Sequence, residues 1–168
     1  MSFLGEHFYD HKYPFNLNNS ILSDSLFVGI NMNCANMYGA DMSRTRLIGV
    51  QLEDVDCTEA VFTETIWKDV KISPWSTFDK AVFRDADFNG QDICGGEMYD
   101  EFSLLHMTNA SFVHANMLHC GLHYVDLSSS SMRNALLSDA CFNTVALSSA
   151  DLSGATMTNV VFKHDGVF

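Results

Sequence analysis

The residues best suited to chemistry crowd into one short stretch. His114, His119, Cys120 and His123 are the residue types that ligate zinc-like ions. The run Ser128-Ser129-Ser130-Ser131 adds hydroxyls a few positions on. Further upstream, acids are dense from Asp41 to Glu101. Recognisable catalytic spacings are missing, however. The sequence holds no CxxC pair, no HExxH, no glycine-rich phosphate loop and no nucleophile elbow. Whether the His and Cys side chains can meet depends on the element that carries them.

That element announces itself through periodicity. A large apolar residue recurs at every fifth position, first as Leu17, Leu22, Phe27, Met32 and onward to Ile72. After a one-residue shift the series resumes as Phe78, Phe83, Phe88, Ile93 and Met98. A second shift starts a third run at Phe102, Met107 and Phe112 that continues to Phe162. Two residues before most of these stands a small or β-branched residue, such as Ala35, Ala40, Thr45 and Val50, or Ala110, Ala115, Cys120 and Val125. A period of five fits neither an α-helix nor a flat strand. It does fit a square coil, each side of which turns its central residue and the one two before it inward. Coils stacked about 4.8 Å apart would hydrogen-bond to one another through the backbone. No coil could stand alone, so stability would come from stacking in a line.

Segments such as Ala35-Asn36-Met37-Tyr38-Gly39, Ala40-Asp41-Met42-Ser43-Arg44, Ala86-Asp87-Phe88-Asn89-Gly90 and Ala150-Asp151-Leu152-Ser153-Gly154 resemble the A-D/N-L-x-x unit of the pentapeptide-repeat family. The resemblance covers roughly residues 13 to 164. It implies an all-β fold, a right-handed quadrilateral parallel β-helix built from tandem pentapeptide repeats. The expected organisation is an N-terminal capping segment at 1–14, the β-helix at 15–164 and a C-terminal tail at 165–168. Phe3, Leu4, Phe8 and Tyr9 are available to cover the first coil, and residues 1–14 do not read as a signal peptide. No capping helix is expected at the other end, where Val167 and Phe168 offer local cover. An open coil end invites pairing, so a homodimer stacked through the C-terminal coils is favoured over a monomer. Such dimers are common in the family the chain resembles.

Repeat phase disposes of the chemistry suggested above. Cys120 falls at an inward position while His119 and His123 point outward, so the three do not share an ion. His119 is expected between Asp139 and Asp100, and the serine run occupies corner and outward sites. A convex rod is a poor place for a reaction. No catalytic residue, metal or cofactor is therefore expected, and the chain reads as a non-enzymatic protein. Cys57 and Cys120 should be buried, with Cys34, Cys94 and Cys141 outside. Unpaired cysteines fit a reducing bacterial cytoplasm, or a host cell if the chain belongs to a translocated effector.

Two irregularities break the ladder. Ser73-Pro74-Trp75-Ser76-Thr77 makes one step a residue too long, and Tyr99-Asp100-Glu101 makes another a residue too short. Pro lacks a backbone donor, which suits Pro74 to a corner bulge. That bulge either is absorbed by the stack or presents Trp75 to a partner.

The 168 residues carry 21 acids against 9 Lys and Arg, a net charge of −12. Such a balance argues against direct nucleic-acid binding, and no apolar stretch is long enough to span a membrane. The acids Glu53, Asp54, Asp56, Glu59, Glu64, Asp85, Asp87, Asp92 and Glu97 form a candidate acidic surface. Read blandly, they keep a repetitive rod soluble. Read sharply, they mimic duplex DNA and bind DNA gyrase or another type II topoisomerase, as the quinolone-resistance relatives in the resembled family are understood to do. Three features weigh against mimicry: the acids form no continuous stripe, the C-terminal half is nearly uncharged, and the only insertion is a single residue, where many of those relatives project long loops.

Outward residues recur on one side every twenty positions or so. Leu104 should lie beneath Tyr124; Tyr99, Leu118 and Leu136 should come together; Val61 should stack with Val82. With Trp75, the first two groups form a candidate surface for a protein partner of unknown identity. The reading that follows is a protein–protein interaction or scaffold module, with the acidic DNA mimic as the alternative.

Overall fold

A computed structural model describes residues 2–4, 15–94 and 104–164. Among the described residues there are eleven strands: β1 (Ser2–Leu4), β2 (Leu26–Val28), β3 (Arg46–Ile48), β4 (Gln51–Leu52), β5 (Ile66–Lys68), β6 (Lys71–Ile72), β7 (Asp92–Cys94), β8 (Leu105–His106), β9 (Gly121–Asp126), β10 (Cys141–Ala146) and β11 (Val161–Lys163). All the strand pairings are parallel, and single-residue parallel bridges fill the sides between them. Among the described residues there is no helix. The architecture is the right-handed quadrilateral parallel β-helix expected from the sequence, of about seven turns.

Register explains the four sides. The first side stacks Asn16, Asn36, Asp56, Thr77 and His106, continuing to Asp126 and Ala146. The second stacks Ile21, Asp41, Val61, Val82, Ser111, Ser131 and Asp151. The third runs from β1 through β2, β3 and β5 to Asp87, Asn116, Leu136 and Thr156. The fourth carries β4 with β6, and then β7, β9, β10 and β11. Backbone groups along each side are consumed by neighbouring coils; Leu17 N–H, for example, donates to Asn36 O at 2.7 Å while Asn36 N–H donates to Phe15 O at 2.9 Å.

Outside the bulge at 73–76, each described side ends in a tight turn whose third residue has positive φ. Glycine, Asn and Asp hold many of these positions, as left-handed backbone favours. The fold also imposes it on Thr144 at φ 51°, where a β-branched side chain is strained.

The interior is mainly apolar, with Ser25, Thr45, Thr65, Ser76 and Ser130 buried at the smaller inward positions. Phe62, Phe83 and Phe112 stack beneath the second side, with ring centroids 5.1 and 4.8 Å apart in near-parallel pairs. Under the third side Trp67 stacks on Phe88 at 5.2 Å, and its indole N–H donates to Thr65 Oγ1 at 2.8 Å. Cys57 and Cys120 are buried as expected, and Cys34 and Cys141 are half-buried on the outside.

The first irregularity is a corner bulge. Beyond it the step between stacked residues becomes 21, as in Asp56↔Thr77 and Val61↔Val82. Ser76 Oγ donates to Leu52 O at 2.9 Å, and Ser73 Oγ accepts from Asp54 N–H at 2.9 Å, which pins the bulge to the coil below. Pro74 and Trp75 sit at its tip, and Trp75 is 67% exposed rather than folded over the corner.

The second irregularity is larger than the sequence suggests. Stacked residues on either side of it are 29 apart, as in Thr77↔His106 and Asp87↔Asn116. The chain therefore makes an excursion about nine residues longer than a twenty-residue coil, where a one-residue shortening is expected. Ile93 and Met107 follow one another as rungs of the described ladder, where the sequence expects Met98 and Phe102 between them. Their positions lie outside the described residues. At the point of departure Gln91 is buried, and its carboxamide donates to Val70 O at 2.8 Å while accepting from Val70 N–H at 3.1 Å.

Candidate functional site: the outward columns

Two outward columns flank the central residue of every side, so surface chemistry in this fold is a question of what each column carries. The cluster His114, His119, Cys120 and His123 is dispersed. Cys120 is buried, and burial pushes its thiol up to about 12. His114 sits at the end of the second side, with Nδ1 3.3 Å from Asp85 Oδ1. His119 lies at the corner of the third side, 3.9 Å from Asp139 Oδ2. Gly90 is stacked beneath it, and Asp100 lies outside the described residues. Among the described residues no three His, Cys, Asp or Glu side chains gather as a metal site would require.

The acids spread over all four sides. Asp56 and Glu59 belong to the first, Glu64 and Asp85 to the second, Asp87 to the third, and Glu53, Asp54 and Asp92 to the fourth. Glu97 lies outside the described residues. Several are engaged locally. Tyr38 Oη donates to Glu59 Oε2 at 2.7 Å and Lys80 Nζ donates to Oε1 at 3.0 Å. Those bonds hold the Glu59 carboxyl below its ordinary value and raise the Tyr38 phenol. On the second side Arg44 makes two bonds to Asp24, both 2.7 Å, and keeps that carboxyl low. Asn116 Nδ2 donates to Asp87 Oδ1 at 2.9 Å, and Asn33 Nδ2 to Glu53 Oε2 at 2.8 Å.

The apolar candidates fall into separate places. Leu105 pairs with Val125, which sets Leu104 one coil below Tyr124. Leu104 also lines a shallow cavity of about 140 Å³ with Thr144, Val145, Ala146 and His164. Leu136 is exposed but stacks on Asn116, while Leu118 stacks with Ser138 in the column beyond the rung centre. Those two leucines therefore stand diagonally on adjacent coils, one in each column, and Tyr99 lies outside the described residues. Val61 and Val82 do stack.

One surface escaped the sequence reading. On the outer face of β1, β2, β3 and β5, the column before the rung centre is Ser2, Leu26, Arg46 and Ile66. The column after it is Leu4, Val28, Ile48 and Lys68. Five aliphatic side chains and two cations share this face without an acid. From Leu26 to Lys68 the signal was legible at steps of twenty residues; the 24-residue step that adds Ser2 and Leu4 was not.

A four-sided parallel solenoid with short turns, inward rungs at every fifth residue and chemistry spread over outward columns defines a class of repeat protein. Pentapeptide repeats, in eight copies, match residues 16–49, 101–139 and 126–163, and the chain belongs to the pentapeptide-repeat family. No curated protein matches the sequence. Among solved structures it is similar to HetL, a pentapeptide repeat protein involved in heterocyst differentiation regulation in the cyanobacterium Nostoc sp. strain PCC 7120. That match has 16% identity and a TM-score of 0.40, covering 97% of this chain and 85% of HetL. A trypsin-treated form of QnrB1, a plasmid-mediated fluoroquinolone resistance protein, is 18% identical with a TM-score of 0.41, covering 94% of this chain and 89% of that one. Rfr23 of the cyanobacterium Cyanothece 51142 is 18% identical with a TM-score of 0.33; the match covers 82% of this chain but only 63% of Rfr23. Likeness at this level carries no argument about function. Among the described residues no helix is long and apolar enough to cross a membrane.

Proposed function

We propose that the protein is a non-enzymatic protein–protein interaction module, a rigid β-helical rod that presents its outward columns to a protein partner. What carries this reading is the division of labour in the coil. Inward side chains, mostly apolar, are buried in the stack, so recognition falls to outward side chains held at fixed spacings by a hydrogen-bonded stack. Exposed Trp75 and Leu136 and the Leu104–Tyr124 neighbourhood are apolar features on a charged rod, and such features mark partner sites when contiguous. Tyr124→Ser and Leu118→Ser are expected to weaken partner binding while leaving the melting temperature unchanged. Intact binding in both would make those positions ordinary surface.

The alternative is an acidic DNA mimic acting on gyrase or another type II topoisomerase. The long excursion between Ile93 and Leu105 removes the objection that the rod lacks an insertion. The scattering of carboxylates over four sides, several of them paired, still favours the scaffold. Titration into a gyrase supercoiling assay, with and without a quinolone, at two salt concentrations separates the two. Inhibition or protection that weakens as salt screens the carboxylates would overturn the scaffold reading. No effect at large excess over enzyme would retire the mimic.

Assembly has its own support. Met157 and Phe162, inward-facing rungs of the last described coil, are exposed, Phe162 to 59%. Stacking of two copies through these coils would bury them. Sedimentation should then give a dimer that Phe162→Asp converts to a folded monomer, and a monomeric parent protein would remove the idea.

A further inference from the structure

We propose that the outer face of the β1–β2–β3–β5 sheet docks an acidic amphipathic helix of a protein partner. The inference rests on the interaction-module reading and specifies one surface and one class of ligand for it. Leu4, Leu26, Val28, Ile48 and Ile66 supply the apolar area, and Leu4 and Ile66 are plainly exposed. Arg46 and Lys68, both exposed, stand diagonally across adjacent strands, at a separation of roughly 7–8 Å for such a pair.

Charge makes this face stand apart. Elsewhere Arg44, Lys80, Arg84 and Arg133 each have a carboxylate within 4 Å. Among the described residues Lys71 and Lys163 are likewise without an ion pair but stand singly, in separate coils of the fourth side; Arg46 and Lys68 are two such cations on adjacent strands of one face, in a chain of net charge −12. Two unneutralised cations among aliphatic side chains are complementary to a ligand that is both apolar and acidic.

Size selects a helix. Three inter-strand steps of about 4.8 Å make the face about 14 Å long, which a helix rising 1.5 Å per residue spans in about ten residues. The two columns flank the inward-pointing Phe3, Phe27, Leu47 and Trp67, and an apolar helical stripe can lie between them. Carboxylates beside that stripe would then reach Arg46 and Lys68. Strand addition is not available on this face, because its backbone groups are engaged along the stack. A broad anionic membrane would meet Asp69, at the adjacent corner, and Asp87, on the next coil of the same side, whereas a narrow helix fits between them.

The test is selection of displayed three-turn helical peptides with a fixed Leu stripe and flanks drawn from Glu, Gln and Lys. The full chain is the bait, followed by anisotropy measurements on the winners. Enrichment of Glu flanks is expected, with affinity falling at least tenfold in Arg46→Glu/Lys68→Glu and in Ile48→Ser/Ile66→Ser. Unchanged melting temperatures in both double variants would show that the rod is intact. No enrichment, preference for Lys flanks, or equal binding by wild type and both variants overturns the proposal. Binding to phosphatidylserine-containing vesicles without peptide enrichment would overturn it in favour of a membrane, and variant-sensitive self-association in favour of a second copy. Peptides that bind wild type and face variants alike would remove this face but leave the interaction-module reading standing. That broader reading fails separately, through salt-sensitive action on gyrase.

Discussion

The second and third sides of the N-terminal coils share the same turns, the same stacking and the same kind of apolar filling, yet they meet solvent in opposite ways. Along the second side charges answer one another between coils and within them: Arg44 reaches Asp24, Arg84 lies 3.3 Å from Asp85, and His114 lies beside Asp85. Along the third, Leu26, Arg46 and Ile66 follow in one column and Val28, Ile48 and Lys68 in the other, with no acid to meet the cations. The coil therefore dictates the inward residue and is nearly indifferent to the outward ones. A side whose charges are satisfied by its own neighbours behaves as solvated surface. A side left with apolar area and unpaired cations is available to something else.

Removing the filling common to both sides should have the largest effect. Phe83 sits between Phe62 and Phe112 and also touches Trp67 and Phe88 edge-on. Phe83→Ala is expected to cost about 3–5 kcal/mol, measured by urea denaturation. A cost below about 1 kcal/mol would mean that the coils on either side of the long excursion are not held together by this aromatic stack.

A smaller effect is expected from a hydrogen bond under the third side alone. Thr65 Oγ1 accepts from the Trp67 indole and donates to Phe62 O at 2.7 Å. Thr65→Val keeps the shape but leaves the indole N–H without its acceptor. The expected loss is about 1–3 kcal/mol, with Thr65→Ser close to the parent protein. If Val and Ser behave alike, the threonine serves by its volume, and the two sides differ less inside than their hydrogen bonds suggest.

How much of this was legible beforehand follows from the same contrast. Inward positions repeat every five residues, so Phe27, Met37, Phe62, Trp67, Phe83 and Phe142 could be placed in the core from spacing alone, and they are buried. The long excursion was not legible because Met98 and Phe102 are apolar and lie nearly in phase with the ladder. A one-dimensional pattern cannot distinguish a rung from an apolar residue outside it; the 29-residue step appears only when neighbouring coils are paired. Outward positions carry no such constraint. Their meaning lies in steps of about twenty residues, and a shift of two positions moves a residue to the other column, so that Leu118 and Leu136 stand on the diagonal of adjacent coils rather than in one column.

Acid titration gives the smallest and sharpest test of the difference between the two sides. The bonds from Arg44 hold the Asp24 carboxyl below its ordinary value of 3.8, so the folded rod binds that proton less readily than the unfolded chain. The resulting stabilisation is complete above the unfolded value and is lost as pH falls through the lower folded one. Asp151, held low by its bonds from Ser153, and Glu59 act in the same direction. The melting temperature of the parent protein should therefore drop as pH is lowered below about 4. Arg44→Gln should lower the melting temperature slightly at neutral pH and flatten part of that acid decline. Arg46→Gln, one residue from the corner and on the third side, should leave the profile superimposable on the parent's because it removes no carboxylate partner. If Arg46→Gln flattens the decline as much as Arg44→Gln does, Arg46 is paired with an acid in solution. The third side would then be as self-satisfied as the second, and its claim to an acidic ligand would go with the distinction.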